Sequence, residues 1–372
     1  MNSRERYVNT LTFKNTDKVP LSPGSGRLST LRRWRREGLP DDAGPIEFVF
    51  GELGIPLEES GGGFFFETKM NPTFEEKVLS HENGHYIVQD WMGAITEISD
   101  EFDYTYIRNA IDFVTRKWHK FPVETPEDWF EMKKRYDPAD PSRLPEDIVS
   151  VGAKLRGRTH AVGIGVNGPF WQLREWMGME NLCMAFLEQP DFVGEMIDFW
   201  SDFILALFDR FLPHVDIDSV HISEDMAFKA HSMISPALTR EFLMPVYKKW
   251  SKKLKQHGVP ILDMDSDGYI EELVPIWIES GINVCDPIEV AAHNDIVKFR
   301  NIFGTDMAYQ GGVDKREMAK GGQALVDEIK RVSAVLETGG YIPSCDHGIP
   351  HDVSFDNYRQ YVKLLAQATG WL

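Results

Sequence analysis

The second half of the chain is a series of short β-like runs. Each run breaks off in polar or glycine-rich residues and is followed by an amphipathic stretch. The runs read "SVHISEDMAF" at 219–228, "VPILDMDSDG" at 259–268, "INVCDPIE" at 282–289, "MAYQGGVDK" at 307–315 and "YIPSCDHG" at 341–348. Between or beside them lie helical patterns at 236–257, 270–280, 293–303 and 322–337. "VGIGVNGPFW" at 162–171 reads as an earlier strand, and "KVPLSPGSG" at 18–26 as the first. Strands recurring every ~20–40 residues with a helix between them are βα units, and such units build a parallel sheet. About seven or eight of them in one chain predict an α/β fold, a single (β/α)8 TIM barrel spanning 1–372, with its site at the C-terminal ends of the strands. A doubly wound sheet is the rival architecture. It calls for a glycine-rich phosphate loop after the first strand, and "SPGSGRLSTLRRW" does not match that fingerprint.

The region 40–150 breaks this rhythm. "ESGGGFFFETKMNPTFEEKVL" and "GHYIVQDWMGAITEI" suggest meandering strands and a hairpin, and "PVETPEDWFEMKKRYDPADPSRLPEDI" suggests helical pieces separated by prolines. The expectation is an N-terminal insertion that decorates the barrel as a lid.

Composition narrows the function. A formal charge of −18 argues against nucleic acid, whose phosphates want a basic face. The same charge argues against an anionic membrane surface, and no apolar run is long enough to span a bilayer. The N-terminus "MNSRERYVNTLTFKNTDKVP" carries charges and no apolar signal core. With only Cys183, Cys285 and Cys345, a disulfide scaffold is excluded. A reducing cytoplasm is the expected compartment.

In a barrel the polar strand ends converge. They supply His221, Glu224 and Asp225, then Asp263, Asp265 and Asp267, then Cys285 and Asp286, Asp314 and Lys315, and finally Cys345, Asp346 and His347. The "DMDSDG" stretch has period 2, which places its aspartates on one face of a strand. Carboxylates so placed repel unless a cation, a proton or a basic group sits among them. The other reading puts the last of them in a turn that caps the next helix, since Asp-Gly is a turn pair. Cys345 is either a small buried hydrophobe or a loop thiol beside Asp346 and His347. Cys285 and Cys183 read as core. His347 is either a working imidazole or one satisfied by backbone, and His221 is equally free to face into the barrel or out of it. Asn167, Phe170 and Trp171 follow a strand end and could wall a substrate pocket, while core packing accounts for Trp176. Arg27, after a Gly-Ser-Gly loop, could reach an anionic group; the run "LRRWRREG" reads as a solvated helix face.

Several stretches resemble the uroporphyrinogen decarboxylase superfamily, which includes cobalamin-dependent methyltransferases. "RERYVNTLTFKNTDKVPL" is similar to its N-terminal helix and first strand. "ISPALTREFLMPVYKKW" is similar to its Ser-Pro helix start, where Ser235 suits an N-cap and Pro236 a first helical residue. "YQGGVDK" resembles the strand that reads Gly-Asn-x-Asp in the decarboxylase, and "SCDHGI" resembles its Gly-His-Gly-Ile. The resemblance covers most of the chain and implies a (β/α)8 barrel. The decarboxylase holds substrate carboxylates with an arginine-rich "MRQAGR" motif. Here that place reads "SPGSGRLST", with Arg27 alone, and the Phe-Asp-Ser strand end reads "SEDM".

The methyltransferase branch carries a zinc site, His-x-Cys-Gly after one strand and a cysteine near the last. Those positions are Asp265-Ser266-Asp267-Gly268 and Cys345 in this sequence. The resemblance thus implies a metal set of Asp265, Asp267 and Cys345 completed by His221, with zinc as the metal. Glu224, Asp225 and His347 are the expected catalytic groups, and Arg27, Asn167, Phe170, Trp171 and Asp314 the expected substrate contacts. The implied reaction moves a methyl group between a small O- or N-methylated compound and a corrinoid protein that is a separate polypeptide. A homodimer is compatible with this reading. A decarboxylase or lyase using Glu224, Asp225 and His347 is the alternative, and a non-catalytic binding protein is a third.

Overall fold

A computed structural model describes residues 1–59, 64–102 and 116–372. Its strands, in chain order, are β1 (Lys77–Glu82), β2 (His85–Gln89), β3 (Ile95–Ser99), β4 (Lys117–Lys120), β5 (Gly163–Asn167), β6 (Ser219–Ser223), β7 (Ile261–Asp265), β8 (Val284–Asp286), β9 (Ala308–Val313) and β10 (Tyr341–Cys345). Strands β5 to β10 form one six-stranded sheet in sequence order, with parallel pairing from β6 through β10. Helices fill the connections, among them Met244–Gln256, Val274–Ser280, Ile296–Phe303 and Gly322–Leu336, and Phe355–Ala368 follows β10. Sequence-adjacent parallel strands with a helix between each pair are the TIM-barrel arrangement. The fold is an α/β barrel, as the spacing of the runs predicts.

The chain divides into two compact units. The first is Met1–Phe64, Asp147–Val166 and Leu212–Leu372; the second is Phe65–Glu146 and Asn167–Phe211.

In the first unit, the segment 18–26 forms no regular strand. Pro20 and Pro23 lack the N–H that a ladder needs, so only the end of the segment pairs. Gly26 makes a parallel bridge with Ile349, with Arg27 N donating to Ile349 O and Ile349 N to Ser25 O. Gly26 is closely packed here: a Cβ would lie 3.0 Å from the Thr30 side chain and 3.1 Å from Trp34. The helix Leu28–Arg36 that follows is locked to the loop after β10. Trp34 is fully buried, stacks on Tyr358 at 4.4 Å and donates from Nε1 to Val353 O. Thr30 Oγ1 donates to Ile349 O. A stacked aromatic pair contributes about 0.5–1.5 kcal/mol beyond its buried area. This packing fixes Arg27, one residue before the helix, beside residues 346–349.

The two faces of the barrel strands differ in chemistry. Ile261, Val284, Ala308 and Ile342 form a buried cluster with Leu11 of the N-terminal helix Ser3–Leu11. This apolar plug lies at the N-terminal ends of β7 to β10. Side chains alternate along a strand. The next residues on the same face are therefore Asp263, Asp286, Gln310 and Ser344, with His221 level with Asp263 on the neighbouring strand. The opposite face packs on helices: Tyr309 lies 6.3 Å from the ring of Phe299 in Ile296–Phe303.

In the second unit, β1 to β4 form an antiparallel sheet in sequence order. The β1–β2 turn is Asn83-Gly84, both with positive φ, as a two-residue type I′ hairpin demands. Thr125 caps the helix Pro126–Met132 in a reciprocal box with Asp128. The meander, the hairpin and the helical piece expected between 64 and 146 are present. Residues 60–63 of the first expected stretch, and 103–115, lie outside the described residues. The second unit also takes in Pro169–Met177, Met179–Glu188 and Pro190–Phe211. Among the described residues no helix is long and apolar enough to cross a membrane.

Candidate functional site

Two clusters of carboxylates around an imidazole stand at the C-terminal ends of the strands of the first unit. The deeper one is built on the ladder itself. His221 on β6 is level with Asp263 on β7, and Asp265 with Asp286 on β8. His221 Nδ1 lies 3.3 Å from Asp263 Oδ2 and 3.9 Å from Asp286 Oδ1, and its Nε2 lies 3.7 Å from Asp265 Oδ2. Gln310 on β9 donates from Nε2 to Asp263 Oδ2 at 3.0 Å. Burial alone would pull the imidazole pKa down. The hydrogen bonds to Asp263 and Asp265 and the charges of Asp263 and Asp286 overrule it and push His221 up to about 11. Asp286 is raised well above the carboxylate range, first by burial and then by the charge of Asp263. Three acids share one imidazole, so the cluster has carboxylates in excess.

The second cluster is carried by loops. His347 Nε2 lies 3.0 Å from Asp267 Oδ1, while its Nδ1 lies 3.0 Å from Lys315 Nζ and 3.7 Å from Asp346 Oδ1. Lys315 Nζ is also 3.7 Å from Glu289 Oε1 and from Asp346 Oδ1. Two of the three acids are anchored by backbone. Asp346, fully buried, accepts from Val290 N at 3.1 Å, and Glu289 Oε2 accepts from Gly268 N at 2.9 Å. Burial lowers His347, but the hydrogen bonds to Asp267 and Asp346 win and lift it to about 9, against a downward pull from Lys315. Burial would raise Asp267, yet its bond to His347 and the charges of His347, Lys315 and Arg27 hold it below the usual range. Arg27 thus belongs to the rim of this cluster.

The expected site residues divide accordingly. His221 faces into the barrel beside Asp265; Asp267, His347 and Arg27 gather at the mouth. Asp265, Asp267 and Cys345 do not converge. Ile342 faces the plug, so two residues on Ser344 shares its face and Cys345 points the other way, beside Tyr358 and Tyr361 of the helix Phe355–Ala368. Burial and then the charge of Asp346 push its thiol up to about 12. Among the described residues, the groups whose ligand atoms come close enough for a metal are His221, Asp263 and Asp286, and Asp267, Glu289 and His347; Cys345 is in neither. The thiolate zinc set that the resemblance implies is therefore not assembled by these residues. Cys285, fully buried on the helix-facing side of β8, is core as expected, while Cys183 is only partly buried.

Other expected residues serve the framework. Glu224 is fully buried and accepts from the hydroxyl of Tyr247 on Met244–Gln256. Asp225 has a φ of 39° and its N donates to Asp265 O, which makes it part of the turn after β6. Asp314 caps the helix Lys315–Lys320 and spends its carboxylate on Arg316 Nε and Nη2. Asn167, Phe170 and Trp171 lie in the second unit: Asn167 Nδ2 donates to Gln172, Trp171 Nε1 donates to Glu175, and Phe170 is fully buried against Phe186.

Asp263, Asp286, Glu289, Gln310, Lys315 and Asp346 complete the clusters without having been assigned a role from sequence. Asp263 and Asp286 are already among the converging strand ends, and the period-2 rule, counted up from the plug residues, adds Gln310. Glu289, Lys315 and Asp346 sit on loops or caps, where no period applies.

Residues 116–367 match the family model described as "Uroporphyrinogen decarboxylase (URO-D)". No curated protein matches the sequence. Among solved structures, a methyltransferase from Methanosarcina mazei is similar at 15% identity and a TM-score of 0.60, covering 99% of this chain and 99% of that one. A B12-independent methionine synthase from Shewanella sp. W3-18-1 is similar at 10% identity and a TM-score of 0.41 over 60% of this chain and 65% of that one.

Proposed function

The chain belongs to the uroporphyrinogen decarboxylase family, and within it we propose that this protein is a methyltransferase that demethylates a small O- or N-methylated compound. The methyl acceptor in this reading is a corrinoid carried by a separate protein. The observation that carries the reading is the sign of the charge at the strand ends. Asp263, Asp265 and Asp286 line the interior and Asp267, Glu289 and Asp346 the mouth, six acids against Arg27, Lys315 and the protonated rings of His221 and His347. A polycarboxylate bound for decarboxylation would be repelled here. A neutral or cationic methyl donor would not. The full-length likeness to a methyltransferase supports the same choice.

A corrinoid on the partner protein would supply the nucleophile that takes the methyl group; the residues of this chain would hold the donor and supply a proton. When the bond from the methyl carbon to oxygen or nitrogen breaks, its electron pair would stay on the heteroatom. His347, held protonated by Asp267 and Asp346, gives that heteroatom its proton as it leaves. Asp346 orients the ring from the Nδ1 side, and Lys315, 3.0 Å from the same nitrogen, opposes the protonated form and eases release of the proton.

The test is direct. Purified protein with a panel of methoxylated aromatics and methylated amines should do nothing alone. Addition of reduced cobalamin should yield methyl-cobalamin, read by absorbance, and the demethylated product. Release of carbon dioxide from a carboxylated substrate without corrinoid would defeat the proposal.

A further inference from the structure

We infer that His221, Asp263 and Asp286 form a thiolate-free binding site for one divalent metal cation inside the barrel. One ring nitrogen of His221 and one carboxylate oxygen from each aspartate lie within 4.8 Å of one another, a triangle that a single ion can span. The ladder holds them there: His221 and Asp263 are level across β6 and β7, and Asp286 follows on β8. The site is more than a group of acids. Asp263 is 4% exposed, yet among the described residues its Oδ1 has no hydrogen-bond partner, and neither does Asp286 Oδ1, which lies 3.9 Å from the His221 ring. Buried carboxylate oxygens left unpaired are costly, and metal coordination is one of the few ways to satisfy them.

Charge count and donor type point the same way. Asp263, Asp265 and Asp286 crowd one imidazole, and among the described residues no arginine or lysine pairs with them. A divalent cation would neutralise this excess at a stroke. Two carboxylates and one imidazole are a borderline-to-hard set, suited to zinc or manganese with positions left for water or substrate. Gln310 has the placement of an outer-shell group, because its amide donates to Asp263 Oδ2 and fixes that carboxylate. The inference stands apart from the methyl-transfer reading: it predicts metal binding whatever the reaction proves to be.

The experiment uses the full chain, stripped with a chelator and titrated with zinc chloride by calorimetry, with manganese chloride as a second arm. One ion per chain is expected. His221→Ala and Asp286→Asn should each weaken binding by ~100-fold or more, and Gln310→Leu by ~10–100-fold, the range typical of a lost outer-shell partner. Glu289→Gln and Cys345→Ser should bind as the parent does. Cobalt(II) in place of zinc should show ligand-field bands and no thiolate charge-transfer band. Circular dichroism and thermal melting identify any variant that fails to fold, and Asp286→Asn, at a half-buried position, keeps the test open if His221→Ala does not fold. Absence of saturable binding by the parent overturns the inference. So does binding that survives both His221→Ala and Asp286→Asn, binding lost in Glu289→Gln, or a thiolate band.

Discussion

The two imidazole clusters look alike in composition and differ in construction. His221, Asp263 and Asp286 stand on three adjacent strands: His221 is level with Asp263, and Asp286 lies one same-face step further along the next strand, level with Asp265. Asp267, Glu289 and His347 stand on the turns beyond those strands and are held separately: Glu289 by the backbone N of Gly268, and Asp267 by the ring of His347, which also lies beside Lys315. The deep cluster has acids in excess. The mouth cluster has Lys315 and Arg27 to balance its acids. A ladder gives fixed positions and suits an ion. Loops with mixed charge suit a group that gives up a proton and recovers it.

The strongest test of that division is His347→Gln. Loss of a general acid removes ~10²–10⁴-fold in rate. The variant should lose that much demethylation with reduced cobalamin while binding zinc as the parent does. A fall of less than about tenfold, or a simultaneous loss of zinc, would merge the two clusters into one functional unit.

A smaller effect lies in the pH profile. His347 is raised to about 9, so its acid form persists through neutrality and is lost as pH climbs through that value. The rate should hold below pH 9 and fall above it. Asp267 raises His347 and Lys315 lowers it. Asp267→Asn should therefore move the alkaline limb toward neutral pH, and Lys315→Met should move it up. The same group bears on stability. Its folded pKa lies above the ordinary 6.5, so its contribution is complete below pH 6.5 and disappears as pH rises through about 9. Urea midpoints measured from pH 6 to pH 10 should decline for the parent and decline less for His347→Gln. Limbs that stay in place in both Asp267→Asn and Lys315→Met would show that another group titrates.

Much of this comparison was legible in the sequence, and the parts that were not share a cause. The strand-like runs at 219–228, 259–268, 282–289, 307–315 and 341–348 became β6 to β10, because alternation between apolar runs and amphipathic stretches is a direct imprint of a parallel sheet. The acidic strand ends did gather. What failed was side-chain direction. Cys345 beside Asp346 and His347 suggested one loop with one purpose, yet Cys345 is still on the strand and faces the helices, while His347 is past its end. Adjacent residues on a strand face opposite ways. Segment 18–26 was expected as a strand, but its prolines leave only the bridge at Gly26. Glu224 looked catalytic by composition, and only the fold shows that it turns outward to Tyr247.

That outward turn provides a third test, on stability instead of rate. Tyr247→Phe removes the hydroxyl that donates to the fully buried Glu224. Leaving a buried carboxyl short of a donor costs about 1–3 kcal/mol. The urea midpoint should fall accordingly, with zinc affinity and the pH profile unmoved. A loss of demethylation beyond what unfolding explains would return Glu224 to the catalytic set.

The smallest effect belongs to the thiol at the end of β10. Cys345 is 6% exposed, lies among Tyr358 and Tyr361, and has its thiol pushed up to about 12 by burial and by Asp346. A thiol of that kind stays protonated at neutral pH and is a poor nucleophile and a poor ligand. In the folded protein it should react with a thiol reagent at pH 8 no faster than global or local opening allows, and rapidly after addition of urea. Cys345→Ala deletes one sulfur from a packed layer and should cost about 1 kcal/mol, the order of one buried methylene and the small void it leaves. Zinc stoichiometry, the alkaline limb near pH 9 and the demethylation rate should all match the parent. Fast labelling of the native protein at pH 8 would mean that the last strand presents its thiol to the barrel, and with it the mouth cluster would gain the soft ligand that the geometry of β10 denies it.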